Sequence, residues 1–132
     1  MKRVLFCTLI CLSALFCQAQ TQSEMNQNAK TKYQQADKEL NTVYQKILKD
    51  YSKDAVFIKN LKKAQSLWIQ FRDAEMKAKY PDREPGYYGS IQPLCWYTYL
   101  TELTEERTTK LKIWTMGIGE GDACTGSVKT KN

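Results

Sequence analysis

No histidine occurs anywhere in this chain. That absence removes Ser-His-Asp and Cys-His catalysis, histidine general bases and every His-containing zinc site together. Proline and glycine are scarce, at 3 and 6 copies, and they are confined: the prolines are Pro81, Pro85 and Pro93, and no glycine precedes Gly86. Long stretches therefore run without a helix breaker. No segment shows the apolar/polar alternation of a half-buried strand. No C-x-x-C pair is present, so neither a redox motif nor a zinc knuckle is indicated. Charge of one sign is not concentrated either. The 20 basic and 14 acidic side chains are interleaved, as in Lys59, Lys62 and Lys63 beside Asp54, Asp73 and Glu75. A nucleic-acid binder would carry a one-sided basic stripe, and none is present. What remains, 42% hydrophobic and 26% charged residues in a chain of 132, is at most one small globular domain.

The N-terminus reads as a leader. Lys2 and Arg3 form a positive end, and Val4 to Phe16 is an apolar run of 13 residues. That run is too short for a bilayer span, which needs about 20 residues as a helix. Cys17-Gln18-Ala19 supplies a cleavage site, with cutting after Ala19 or Gln20. Neither Cys11 nor Cys17 follows a small residue as a lipoprotein anchor would require. The expectation is a secreted or periplasmic protein with a signal peptide over 1–19 and no stable membrane insertion after cleavage. The alternative is an uncleaved anchor. Cleavage leaves 18 basic against 14 acidic side chains, and two cysteines, Cys95 and Cys124. In an oxidising compartment these suggest one disulfide, against the alternative of two free thiols. The bond would close a loop of 29 residues. On the chain-entropy model it would contribute about 3–4 kcal/mol.

Three apolar stripes at helical spacing follow. The first is Met25, Ala29, Tyr33, Ala36, Leu40, Val43, Ile47 and Tyr51, with Ser23 as a candidate N-cap. The second is Phe57, Leu61, Ala64, Trp68, Phe71, Ala74 and Ala78, capped by Asp54 and stopped by Pro81. The third, from about Leu94 to Trp114, is Leu94, Tyr97, Leu100, Thr104, Arg107, Leu111 and Trp114. The short link between the first two favours antiparallel neighbours. Residues 81–93 carry turn chemistry and an unusually apolar trio, Tyr87, Tyr88 and Ile91. These either fold back over the helices or form an exposed contact patch. Gly117, Gly119 and Gly121 lack the flanking strand, Lys-Ser/Thr and helix of a phosphate loop. They would instead let Cys124 swing back to Cys95. The predicted fold is all-α: a small antiparallel bundle of three helices over 23–116, an irregular Pro/Gly loop, and a disulfide-tethered Gly-rich tail over 117–132.

Three segments then speak together: QQADKELNTVYQKIL (34–48), LKKAQSLWIQFRDAE (61–75) and CWYTYLTELTEERTTKL (95–111). With MNQNAKTKY (25–33) they resemble, in order and spacing, the LprI-type lysozyme inhibitor domain, a small secreted or periplasmic bacterial domain. The resemblance runs from about Met25 to Leu111. It implies a helical envelope protein that would bind lysozyme-type muramidases and inhibit them by protein–protein occlusion, without covalent chemistry. Family members often have cysteines where Asn28 and Met76 stand, the second pairing with the cysteine that opens the third helix, here Cys95. That partner is absent from this chain, which leaves Cys124 as the substitute.

The motif side chains form an expected network of Asp37, Asn41, Gln65, Trp68, Arg72, Asp73, Thr104 and Arg107. An unpaired buried charge is costly, so Arg72 is expected to meet Asp37, and Arg107 to lie near Glu102 or Glu105. The alternative is that these residues contact a ligand. The carboxylates offer no cleft-flanking acid–base pair and no ligand loop, so neither catalytic residues, metal nor cofactor is expected. Tyr80, Tyr87, Tyr88, Trp96, Tyr97 and Tyr99 cluster around the loop. Of these, Tyr87 and Tyr88 are the candidate partner contacts, because aromatic residues anchor protein interfaces. Trp68, Trp96 and Tyr97 are expected to roof the core. A mildly basic chain gains no long-range steering toward a basic lysozyme. Glu102, Glu105 and Glu106, or Asp82 and Glu84, would supply local complementarity. The sequence therefore reads as a non-enzymatic binding protein whose partner is lysozyme or another envelope protein. The competing reading is a scaffolding envelope module that binds another protein or a cell-wall fragment.

Overall fold

The computed structural model describes residues 2–131, with side chains from Thr21 onward. The side chains of the expected leader, with Cys7, Cys11, Cys17 and the expected cleavage site, lie outside that range. Among the described residues there are three helices, α1 (Lys2–Asp50), α2 (Ala55–Lys79) and α3 (Gln92–Met116). The only extended pairing among them is an isolated bridge between Ile118 and Thr130. None of the helices searched is long and apolar enough to cross a membrane.

The helices run up, down and up. Tyr33 stacks on Tyr97 with ring centroids 6.0 Å apart, and Lys112 pairs with Glu39 at 2.5 Å, so α1 and α3 are parallel. The α1–α2 connection is tight. Asp54 N–H donates to the Tyr51 carbonyl, and the Asp54 carboxylate accepts from Phe57 N–H at 2.9 Å, as the expected N-cap of α2. At the other end, α2 stops at Lys79, just before Pro81. Pro93 sits in the first turn of α3, where its missing N–H costs nothing. Ser23 is not a cap, because α1 runs through it without interruption.

The core lies mainly between α1 and α3. Leu40, Ile47, Tyr51, Leu61 and Leu111 form its centre, with Ile47 and Leu111 fully buried. Ala29, Ala36, Thr104 and Thr108 are also buried and small, which lets the two backbones approach. The Thr104 and Thr108 hydroxyls donate to the carbonyls of Leu100 and Thr104 one turn back, at 2.7 and 2.8 Å. They satisfy themselves within α3 and need no partner from α1. The short link thus sets α2 antiparallel to α1, while the close partner of α1 is α3.

The expected α2 stripe is rotated. Phe57, Leu61 and Trp68 do face inward, but the inward line continues through Gln65, Arg72 and Met76. Phe71 is 59% exposed, and Ala64, Ala74 and Ala78 face solvent. Two polar residues on the inner face concealed the true stripe from a count of apolar positions.

The tail departs from the expected tether: Cys95 and Cys124 are free thiols. Cys95 is in the first turn of α3, whereas the tail docks at the far end of the bundle. There, Trp114 Nε1 donates to Ser127 Oγ, and Lys129 N–H donates to the Tyr51 hydroxyl at 3.1 Å. The Lys129 ammonium also donates to the Asp50 carbonyl at 2.7 Å. The helix rises about 28 Å between Cys95 and Trp114. A disulfide tolerates a Cα separation of no more than about 7 Å. Gly117 turns the chain onto this end with φ +72°, and a Cβ there would come within 2.8 Å of the Lys129 carbonyl oxygen.

Candidate functional site

The loop between α2 and α3 is built like a bracket. Tyr87 N–H donates to the Glu84 carbonyl, Gly89 N–H to Gly86 and Gln92 N–H to Gly89, so successive turns fold it over the bundle end. Its two apolar outcomes are divided between its residues. Tyr88 folds back, half-buried, with its hydroxyl donating to the Pro81 carbonyl at 2.7 Å. Tyr87 and Ile91 remain outside, 67% and 48% exposed. Tyr88 meets Tyr80 edge-on at 5.9 Å, and Tyr80 meets Trp96 at 5.6 Å. Tyr87 stands edge-on to Tyr88 at 4.9 Å, and the Arg83 guanidinium lies over its ring, 5.7 Å from the centroid. Asn26 of α1 reaches across to donate to the Ser90 carbonyl. The exposed ring therefore rests on a buttressed aromatic stack. A groove of about 570 Å³ runs between the loop and α3, with Tyr80, Tyr87, Tyr88 and Trp96 as aromatic walls and Asp82, Arg83 and Glu84 at its rim.

An acidic band on α3 begins close by. Glu102 and Glu105 line a groove against Met25, Asn28 and Lys32 of α1, while Glu105 and Glu106 border Thr109 and Lys110. Glu75 of α2 joins the band by accepting a 2.5 Å hydrogen bond from the Tyr99 hydroxyl. The Tyr99 pKa is pushed up to about 12, first by that bond and then by desolvation, Glu75, Glu102 and Glu106. The Lys79 ammonium sits over the Tyr99 ring at 3.3 Å. Burial raises the Tyr80 pKa, with Cys95, Glu102 and Tyr88 adding to it.

The motif side chains occupy the middle of the bundle, arranged differently from the expected ion pairs. Arg72 binds Asp73, its neighbour on α2, through Nε and Nη2 at 2.9 and 2.7 Å. Asp37 instead accepts from Asn41 one turn on, at 3.1 Å. Tyr33 lies among Asp37, Arg72 and Asp73: burial raises its pKa, and Arg72 opposes the rise. Arg107 donates from Nε to buried Gln65 at 3.0 Å. The Arg72 and Arg107 guanidiniums lie 5.3 and 5.9 Å from the Trp68 ring centroid. Glu102 and Glu105 do not meet Arg107, since they lie five and two residues before it and only positions three or four apart share a helix face. Thr104 stays out of the network, bonded only to its own helix.

Gln65, Trp68, Arg72, Asp73 and Arg107 are thus assembled together, whereas Asp37 and Asn41 form a separate pair and the glutamates face elsewhere. The contacts missing from the sequence reading are Tyr99–Glu75 and Asn26–Ser90. Both join distant helix positions that no local spacing reveals. Among the described residues, no group of three or more Cys, Asp or Glu could hold a metal ion. Chemically, the loop end offers what protein recognition uses: a pinned, exposed aromatic anchor with charged side chains at its margin. A family model described as Lysozyme inhibitor LprI matches residues 17–111. No curated protein and no solved structure matches the chain.

Proposed function

The chain belongs to the lysozyme inhibitor LprI family, and from that premise we propose that it acts outside the cytoplasm, binding lysozyme and blocking it by occlusion without catalysing a reaction. The leader-like N-terminus supports the location. The observation that carries the binding reading is Tyr87, a large ring 67% exposed yet buttressed by Tyr88, Tyr80 and Trp96. A rigid aromatic anchor loses little conformational entropy on binding. Glu102, Glu105 and Glu106 supply a local acidic surface against a basic enzyme, with Asp82 and Glu84 at the loop. Such short-range complementarity mainly sets association rate and orientation, and salt weakens it.

Muramidase turnover in the presence of the purified protein tests this reading. Inhibition at micromolar protein, weakened at least tenfold by Tyr87→Ala and reduced by added salt, is the expected result. Undiminished lysozyme turnover at high micromolar protein would sink the reading and favour a scaffolding role.

A further inference from the structure

The far end of the bundle carries a second concave surface, remote from the loop. A groove of about 520 Å³ opens between α2 and α3, walled by Val56, Phe57, Leu61, Ala64 and Trp114, with Arg107 among its lining residues. Its size falls within the range of small-ligand sites. Charge distinguishes it from a bare apolar face. Arg107 is half-buried, yet its partners are neutral, the Gln65 amide oxygen and the Trp68 ring. Desolvation lowers its pKa. Arg72 beside it already has Asp73, whereas no carboxylate lies within ion-pair distance of Arg107 among the described residues. A half-desolvated guanidinium favours an anion, and its planar fork suits a carboxylate. None of its nitrogens is buried without a partner, so the terminal ones remain open to a ligand. At the other end of the groove stands Asp54, which disfavours a second negative charge.

The geometry points to an amphiphilic monocarboxylate site, in which the carboxylate of a free aliphatic acid pairs with Arg107 and its chain lies along Ala64, Leu61, Phe57 and Trp114. This assignment is independent of the lysozyme reading, because it uses neither the loop nor the acidic band.

Decanoate, decanol, decyltrimethylammonium and acetate, each titrated below its aggregation threshold by calorimetry, provide the test. Decanoate should bind at least tenfold more tightly than decanol, and the cationic amphiphile and acetate should bind negligibly. Arg107→Gln should remove the preference for decanoate over decanol, and Arg107→Lys should keep part of it. Ala64→Trp fills the groove from an exposed position and should weaken decanoate and decanol together, even if Arg107→Gln fails to fold. Equal binding of decanoate and decanol, acetate binding as tight as decanoate, or full affinity in Ala64→Trp would each overturn the proposal.

Discussion

The α1–α3 interface and the α2 side of the bundle are held by different means. Between α1 and α3 the contact is short and dry: Ala29, Ala36, Leu40, Ile47, Thr104, Thr108 and Leu111 are buried, and the polar hydroxyls are satisfied within one helix. Helix α2 is held to α3 largely at longer reach, by Arg107 on Gln65, Tyr99 on Glu75 and the Trp68 ring. Small side chains bring backbones together, while long polar ones hold them apart and leave grooves. The bundle therefore has a pair of helices that supplies stability and a third that shapes surface.

Core truncation should give the largest effect. Leu111→Ala and Ile47→Ala each remove a fully buried side chain and should cost about 2–5 kcal/mol in urea unfolding. A loss below about 1 kcal/mol would mean that this interface is not the close-packed one. Removing the α2 cap comes next: Asp54→Ala strips the bond to Phe57 N–H and should cost about 1 kcal/mol. Phe71→Ser on the outer face of α2 should fall within about 0.5 kcal/mol, as surface changes usually do. A large loss there would show that something covers this face.

The pH response of the Tyr99–Glu75 strut is smaller in stability but readable directly. The folded pKa of Tyr99 is raised from 10.0 to about 12. Its contribution is therefore fully present below pH 10 and is lost as pH rises toward 12. The pKa values of Tyr33, Tyr44 and Tyr80 are also raised by burial. Tyrosinate absorbance should therefore show Tyr99 as the step at about 12, and that step alone should revert toward its ordinary range in Glu75→Gln. An unchanged titration in that variant would remove the strut from the comparison.

The dry interface was the legible one. The α1 and α3 stripes from Ala29 to Tyr51 and from Leu100 to Trp114 are apolar enough to be counted, and Asp54 and Pro81 mark the ends of α2 by local chemistry. The inner face of α2 was not legible, because Gln65 and Arg72 are inward and Phe71 is outward, which inverts the usual rule. The ion pairs were misassigned for a related reason. Residue type predicts that Arg72 finds a carboxylate, but whether it is Asp37 or the adjacent Asp73 depends on helix separation. Cysteine counting gave a tether from Cys124 to Cys95 that does not form, and the tail's place is decided instead by Tyr51, Asp50 and Trp114, which hold Lys129 and Ser127 at the end opposite Cys95. Around the loop, the aromatic cluster was visible in the sequence, but the division between a braced Tyr88 and a free Tyr87 required the Pro81 carbonyl to be located.

The most direct measurement of the central claim is hydrogen–deuterium exchange of the protein with and without lysozyme. Added protection over residues 80–97, with the exposed face of α2 unchanged, is the predicted pattern. Exchange at the loop that stays the same in saturating lysozyme would contradict the account.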